Sequence, residues 1–191
     1  MKGTYIFLAE GYEPLEALAP MDVLRRAGVK CRFVSMETGL LPASTQNFGL
    51  QADMDFNEFK AEIASDGGAE CLIFPGGLPG ADNLGDNEAL MEILKEHFSA
   101  GRLTCAICAA PARVLAKNLG KALSGRRMTA YDGFGDQLEA AGAVYTAADV
   151  EADGNLITAK GPGLAIDFGL AILDRLVDHR IFAVAKHAMM L

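Results

Sequence analysis

Short apolar runs rich in β-forming residues alternate along the chain with longer runs in which apolar positions recur at helical spacing. Strands are predicted at residues 4–9, 30–36, 49–56, 71–74, 103–107, 127–130, 144–150 and 156–160. Helices are predicted at 13–27, briefly after the cap Asn57, at 87–100, 111–117 and 134–141, and from 164 towards the C-terminus. This alternation is typical of an α/β fold with a mostly parallel central sheet between helices.

Composition and charge limit the size of the fold and its partners. With 191 residues, 51% of them hydrophobic and 22% charged, we expect one domain over residues 1–191. The net charge is −8, and the only adjacent basic pairs are Arg25-Arg26 and Arg126-Arg127. Nucleic-acid binding needs clustered basic side chains, so we expect no nucleic-acid partner.

The apolar segments are too short or too interrupted to insert into a membrane. The N-terminal run ends at Glu10, too early for a secretory signal. The most apolar segment, residues 164–177, contains Asp167, Asp174 and Arg175 and predicts a buried helix. We therefore expect a cytoplasmic protein without a membrane partner.

Three of the four cysteines fall inside apolar strand runs, where a small hydrophobic residue packs well: Cys31, Cys71 and Cys105. Without a secretory signal, reduced thiols are expected rather than a disulfide framework. Cys105 and Cys108 have the spacing of a redox pair, but one lies within a strand and the other beyond it, so we expect their side chains to diverge.

Metal and nucleotide cofactors are not expected. The three histidines lie in predicted helices without a second ligand pair at zinc spacing. Glu10, Glu13 and Glu16 follow the first strand, where a flavin phosphate site would need free N–H groups and no negative charge.

Cys108 lies at the junction of a predicted strand and a helix that starts at Pro111, among the small residues Ala106, Ala109 and Ala110. A sharp strand-to-helix turn requires such small neighbours and raises its central side chain above the sheet. The partial positive charge of the following helix favours a thiolate, so Cys108 is the candidate nucleophile. The alternative is a buried cysteine that fills a tight turn.

Other strand ends meet Cys108 at the carboxyl edge of the sheet, where ligands bind in open parallel sheets. Glu16 is in the first turn of the first helix, and a carboxyl beside a thiolate has a raised pKa and can donate a proton. Gly76 and Gly77 follow another strand and lack the Cβ that would keep their N–H groups from a developing oxyanion.

Five segments resemble the ThiJ/PfpI superfamily, and its ThiJ branch in particular. They are Ala9-Glu-Gly-Tyr-Glu-Pro-Leu-Glu16, Met21-Asp-Val-Leu-Arg-Arg-Ala-Gly28, Phe74-Pro-Gly-Gly77, Ala106-Ile-Cys-Ala-Ala-Pro111 and Gly161-Pro-Gly-Leu-Ala-Ile-Asp-Phe-Gly169. The similarity covers nearly the whole chain in the same order.

The resemblance implies a flavodoxin-like three-layer sandwich, a homodimer that buries the first helix, and a reactive cysteine paired with a carboxyl. The family's cysteine falls on Cys108 and its carboxyl on Glu16. The oxyanion or substrate-binding positions are Gly76, Gly77, Ala109 and Tyr131, and the matched dimer-interface positions are Asp22 and Arg26.

One departure concerns proton transfer. Many family members have a histidine near the cysteine, after the strand predicted to end at Ala130, and this chain has Tyr131 there. Without an imidazole a Cys-His pair is absent, which disfavours proteolysis and assigns proton transfer to Glu16.

We therefore expect a cofactor-free cysteine enzyme, of the glyoxalase or deglycase type, that acts on small reactive dicarbonyls or on their adducts with proteins during stress. The alternative is a redox-sensing, chaperone-like protein in which Cys108 is oxidised and turnover is slight.

Overall fold

The computed structural model describes residues 2–191 and contains a seven-stranded sheet in the order β3-β2-β1-β4-β5-β9-β8. All neighbours are parallel except β8 and β9, which are antiparallel. The strands of this sheet are β1 Thr4–Leu8, β2 Cys31–Ser35, β3 Met54–Asp55, β4 Cys71–Phe74, β5 Leu103–Ile107, β8 Val150–Asp153 and β9 Leu156–Ala159. The prediction of a mostly parallel central sheet is confirmed.

Helices cover both faces of the sheet and make a three-layer sandwich. One core contains Phe7 and Phe74 of the sheet packed on Phe59 and Leu94, and the other contains Ile6 and Ile73 packed on Leu24 and Phe168. The helices are α1 Pro14–Arg26, α2 Phe56–Asp66, α3 Gly80–Gly85, α4 Glu88–Ser99, α5 Lys117–Leu119, α6 Gly135–Ala140, α7 Ala165–Leu176 and α8 His179–Ala188. None of the helices within residues 2–191 is long and apolar enough to cross a membrane.

Residues 127–130 do not extend the main sheet, so that prediction was wrong. Only Arg127–Met128 form a strand, β6, which pairs in parallel with β7, Val144–Tyr145, in a separate two-stranded sheet. The N–H groups of Arg127 and Thr129 bond instead to the side chains of Asp153 and Thr158. Side-chain acceptors thus replace a strand ladder at this place.

Two helix boundaries also differ from prediction. Asp55, not Asn57, caps α2, because its carboxylate accepts from the N–H groups of Asn57 and Glu58 while the Glu58 carboxylate accepts from Asp55 N–H. That reciprocal cap begins a helix of 11 residues rather than a brief one. Helix α3 was not predicted, because glycine at both its ends lowers helical propensity.

The segment after β5 is helical where a helix was predicted, but its first turn is wider than an α-helix. Residues Pro111–Ala116 form a π-helix that continues into α5. Such widened turns occur frequently at functional sites. This helix begins three residues after Cys108.

Candidate active site

Cys108 lies at the top of a strained strand-to-helix turn, as the sequence predicted. Its φ is +64°, in the left-handed region that a cysteine rarely adopts, at a cost of order 1 kcal/mol. Its N–H donates to Ala159 O at 2.9 Å, and its carbonyl accepts from Tyr131 N–H at 3.0 Å. These two bonds fix the turn between β9 and the 131 loop, and the side chain remains partly exposed.

Glu16 is the fully buried acid of the site. It lies in the first turn of α1 with 0% of its surface exposed, and its Oε2 accepts a hydrogen bond of 2.8 Å from Gly76 N–H. No group within residues 2–191 makes a well-formed hydrogen bond to its Oε1. A buried oxygen without a partner is costly for a carboxylate, and protonation turns the carboxyl into a donor.

Burial, and to a smaller extent the charge of Glu13, raise the pKa of Glu16 to about 7. The hydrogen bond from Gly76 and the nearby Cys108 thiol lower the pKa by less than burial raises it. This is the direction expected from the sequence. Glu16 therefore exchanges a proton near neutral pH, as a general acid or base must.

The protonation state of Cys108 differs from the prediction that the following helix favours a thiolate. Burial, followed by the ionised carboxylate of Glu16, raises the pKa of Cys108 to about 12, so helix-end charge does not produce a thiolate beside a charged Glu16. Hydrogen bonding from the N–H groups of Gly77 and Ala109 to the sulfur acts in the opposite sense. The thiolate therefore requires that Glu16 hold the proton.

The predicted oxyanion pair must also be corrected. Gly76 N–H is already bonded to Glu16, so Gly76 positions the acid and is not free to bind an oxyanion. The N–H groups that face the sulfur belong to Gly77 and Ala109. The strand end after β4 thus supplies one donor to the carboxyl and the next donor to the sulfur.

The absence of a Cβ at Gly76 and Gly77 allows this close approach. A Cβ on Gly76 would lie 2.7 Å from the Cβ of Cys108 and 2.8 Å from Oε2 of Glu16. Gly77 has a φ of +85°, and a Cβ there would lie 2.5 Å from Glu13 N. None of these three distances is tolerated without moving the site.

The remaining predicted residues lie further from the sulfur. Tyr131 is bonded to Cys108 through its backbone, and its ring, 50% exposed, lies against Gly161. Asp22 and Arg26 form an ion pair of 2.7 Å on the exposed side of α1. Asp22 and Arg26 therefore belong to an outer surface. The residues that the geometry brings together are Cys108, Glu16, Gly76, Gly77 and Ala109.

Lys160 lies at the carboxyl edge of the sheet next to Cys108, and the sequence interpretation did not consider it. It was counted as the end of a strand, but β9 ends at Ala159. The register pairs Ile107 with Ala159, so Lys160 and Cys108 occupy the next positions of adjacent strands. Its place immediately beyond a strand could have identified it.

The other three cysteines are buried and free, as predicted. Cys71 and Cys105 lie on adjacent strands with their sulfurs 3.7 Å apart, so Cys105 contacts Cys71 and its side chain diverges from that of Cys108. Within residues 2–191, no group of three or more His, Cys, Asp and Glu side chains is placed to hold a metal ion.

A parallel sheet with a cysteine on a left-handed turn, beside a buried acid held by a glycine N–H, defines a class of reactive-cysteine α/β proteins. Comparison with known proteins narrows that class. Residues 2–175 match the DJ-1/PfpI family, and the chain belongs to it.

Individual relatives agree over nearly the whole chain. Protein dj-1beta of Drosophila melanogaster is 36% identical over 97% of this chain and 95% of its own length. Protein DJ-1 homolog A of Arabidopsis thaliana is 34% identical over 92% of this chain, which spans only 43% of that protein. The structure titled "Toxoplasma gondii DJ-1, oxidized" has a TM-score of 0.88 and 29% identity, and covers 100% of this chain and 98% of its own. This similarity confirms the flavodoxin-like fold.

Proposed function

We propose that the protein is a cofactor-free cysteine enzyme that converts small α-oxoaldehydes into α-hydroxy acids in stress protection. The observation that carries the proposal is the arrangement of Cys108, Glu16 and Gly77. A partly exposed sulfur lies beside a buried acid whose pKa is raised to about 7, and the backbone N–H of Gly77 faces the same sulfur.

The chemistry needs no external oxidant or reductant. The Cys108 thiolate attacks the aldehyde carbon, a C–S bond forms, and the carbonyl oxygen takes the proton of Glu16 to give a hemithioacetal. The ionised Glu16 then removes the hydrogen of the former aldehyde carbon as a proton and returns it to the neighbouring ketone carbon. In the same conversion the hydroxyl proton of the hemithioacetal passes to the ketone oxygen. The first carbon is thereby oxidised to a thioester and the second is reduced to an alcohol. Water hydrolyses the thioester, which releases the acid and the thiol.

The proton shared by Glu16 and Cys108 decides the reactive form. The first proton of the pair is lost near pH 7 and the second only near 12, so one proton remains between them at neutral pH. When that proton is on Glu16, the sulfur is a thiolate that accepts from Gly77 and Ala109. When it is on sulfur, Glu16 is the base, and the same pair can serve both steps.

The same site would act on early adducts of α-oxoaldehydes with proteins. Such an adduct has lost the free aldehyde but can release it, and the Cys108 side chain is partly exposed. We place the deglycase reaction second to the free aldehyde because an adduct must also bring a protein chain close to Cys108.

The experiment compares methylglyoxal consumption and lactate formation by the wild type, Cys108→Ala and Glu16→Gln. Both variants are expected to lose at least about 100-fold in kcat/KM, because one removes the nucleophile and the other the proton carrier. Cys31→Ser, at the amino end of β2 and so away from the carboxyl edge of the sheet, is the control for loss of a thiol. Equal rates for the wild type and Cys108→Ala would refute the proposal.

A redox-sensing role is the second candidate, and Oε1 of Glu16 favours it. This buried oxygen has no well-formed hydrogen bond within residues 2–191 and, when protonated, could donate to an oxygen added to the sulfur. Two equivalents of hydrogen peroxide would oxidise the thiol to a sulfinic acid and be reduced to water. The test is mass spectrometry after mild peroxide. Modification of other thiols while Cys108 stays unmodified would exclude this role.

We also propose a homodimer through α1. Leu15 and Leu18 are 48% and 46% exposed on this helix, and the Asp22–Arg26 ion pair lies near its end. Phe48, in the neighbouring loop, is 51% exposed. Apolar side chains of this size, rimmed by charge, mark protein interfaces.

A further inference from the structure

We propose that Lys160 and Tyr131 form a subsite that binds a carboxylate at the far end of the substrate, so that the enzyme prefers acidic α-oxoaldehydes. The inference rests on the proposed function for its substrate class. The subsite itself can be tested by the reactivity of Cys108 alone.

The strand register places the backbone of Lys160 beside that of Cys108. Ile107 of β5 is paired with Ala159 of β9, and Cys108 N–H bonds to Ala159 O at 2.9 Å. Adjacent strands are about 4.8 Å apart, so the backbones of Cys108 and Lys160 are direct neighbours at the carboxyl edge of the sheet.

The order of the strands gives the substrate an orientation. Glu16 follows β1, Gly77 follows β4, Cys108 follows β5 and Lys160 follows β9, and the sheet order is β1-β4-β5-β9. The acid and Gly77 therefore lie on one side of Cys108 and the lysine on the other. An aldehyde oriented towards Glu16 extends its remaining carbons towards Lys160.

A small cleft lies on the lysine side. It has a volume of about 260 Å³ and is formed by residues 131–132 and 160–164. Sites for drug-sized ligands occupy about 300–1,000 Å³, so this cleft suits a short substituent and not a large ligand. Tyr131 forms one wall with its ring against Gly161, where a Cβ would lie 3.2 Å from the ring.

The charge of Lys160 is available to a ligand. Its Nζ lies 3.8 Å from Asp132 Oδ1, which is too long for a hydrogen bond, and Asp132 is 85% exposed on its side chain. An exposed ion pair of this length contributes little to stability, so it does not hold the lysine in place. A carboxylate can therefore bond to Nζ in place of the contact with Asp132, and the Tyr131 hydroxyl can donate a second bond.

The acidic surroundings make this cation decisive for specificity. The chain carries a net charge of −8, and Glu10 and Glu13 follow β1 near the buried acid. Without Lys160 an anionic substrate would meet mainly negative charge at the site. Lys160 is thus a specificity residue, because its positive charge offsets the repulsion of an anionic substrate on one side of the sulfur.

The first experiment needs no turnover. Iodoacetate and iodoacetamide alkylate a thiolate by the same displacement of iodide and have nearly the same shape, but only iodoacetate is anionic. Lys160→Met is expected to lower the ratio of their rates at Cys108 about tenfold, as loss of one hydrogen bond to a charged group would. Lys121→Met, an exposed lysine on another segment, changes the net charge equally and should leave the ratio near that of the wild type.

The second experiment compares two substituted glyoxals of equal shape, γ,δ-dioxovalerate and isopentylglyoxal. Lys160→Met should reduce kcat/KM about tenfold more for the acid than for the neutral compound. Asp132→Asn should increase kcat/KM for the acid alone, because it removes the competing carboxylate.

The outcomes separate the two proposals. If the alkylation ratio falls with Lys160→Met but the wild type converts neither these two glyoxals nor methylglyoxal, the subsite is supported and the proposed enzyme is refuted. If the alkylation ratio is unchanged, or Lys160→Met affects the acid and its neutral isostere equally, the subsite is refuted whatever the enzyme does.

Discussion

The Gly76 N–H donates a hydrogen bond of 2.8 Å to Oε2 of Glu16, across 60 positions of the chain. This bond joins the end of β4 to the first turn of α1 and directs a buried carboxyl towards Cys108. The glycine thus acts on the reaction through the acid that it positions, although the sequence suggested direct contact with an oxyanion.

Gly76→Ala tests this positioning role. The added Cβ would lie within 3 Å of both Cys108 Cβ and Glu16 Oε2, so the sulfur and the carboxyl must separate. A displacement of about 1 Å at the reacting groups can lower the reaction rate on the order of 100-fold. We expect a loss of that size in kcat/KM with methylglyoxal.

Circular dichroism and thermal unfolding are the controls for the fold of Gly76→Ala. Wild-type kcat/KM in the folded variant would show that close packing at this glycine does not matter to the reaction.

The pH dependence of activity should report the Glu16–Cys108 pair. The reactive form carries one proton, so wild-type kcat/KM is expected to rise as the pH rises through about 7, the raised pKa of Glu16, and then to reach a plateau. In Glu16→Gln the nucleophile forms only when Cys108 itself ionises, and burial raises its pKa above the ordinary value of 9.0.

The ascending limb of the Glu16→Gln profile should therefore move to higher pH. It is measured as initial rates of methylglyoxal consumption across the pH range at low substrate concentration. A limb that stays near pH 7 in the variant would assign that titration to another group.

Glu16 should also make stability depend on pH. Its pKa is raised by burial from the ordinary 4.5 to about 7, so the folded state binds more protons than the unfolded state between these values. Stability is therefore lost as the pH rises from 4.5 to 7, by roughly 3 kcal/mol in total.

Glu16→Gln cannot ionise at this position and should be more stable than the wild type above pH 7, with little difference below pH 4.5. Urea unfolding at three pH values measures this difference. Burial lowers the pKa of His97 to about 4, so this residue makes the protein less stable as the pH falls. His97 is present in both proteins, so its effect cancels in the difference between them. A difference that is constant with pH would contradict a buried, titrating Glu16.

The dimer surface can be tested on α1. Leu18→Glu places a charge among exposed apolar side chains and is expected to weaken self-association by at least about tenfold, seen by analytical ultracentrifugation. Val144→Glu is the matched control, because Val144 is 51% exposed on β7 and not on α1. Equal sedimentation of all three proteins would place the interface elsewhere.

Much of the architecture could be predicted because parallel strands are short apolar runs separated by helices. The strands at Cys71–Phe74 and Leu103–Ile107 were predicted to the residue. The segment at 127–130 could not be assigned, because its apolar residues are buried while its N–H groups bond to side chains of distant residues. Local pattern carries no information on such acceptors. That residues 1–191 form one domain stays a prediction.

The site was predictable in its residue types but not in its proton and its hydrogen bonds. Small residues around Cys108 indicated the sharp turn, and in the structure Cys108 has a left-handed φ there. The sequence could not show that Gly76 N–H is occupied by Glu16, or that burial outweighs helix-end charge at the sulfur. Both depend on distances between elements that are far apart in the chain.

The contact between Cys71 and Cys105 has a practical consequence. Their strand register pairs Cys71 with Leu103 and Cys105 with Ile73, so the two α-carbons are diagonal neighbours, about 7–8 Å apart, which exceeds the span of an unstrained disulfide. These two thiols and Cys31 are shielded from solvent. A maleimide dye added to the folded wild-type protein should therefore label one position, Cys108, and serve as a stoichiometric optical reporter without any engineered cysteine.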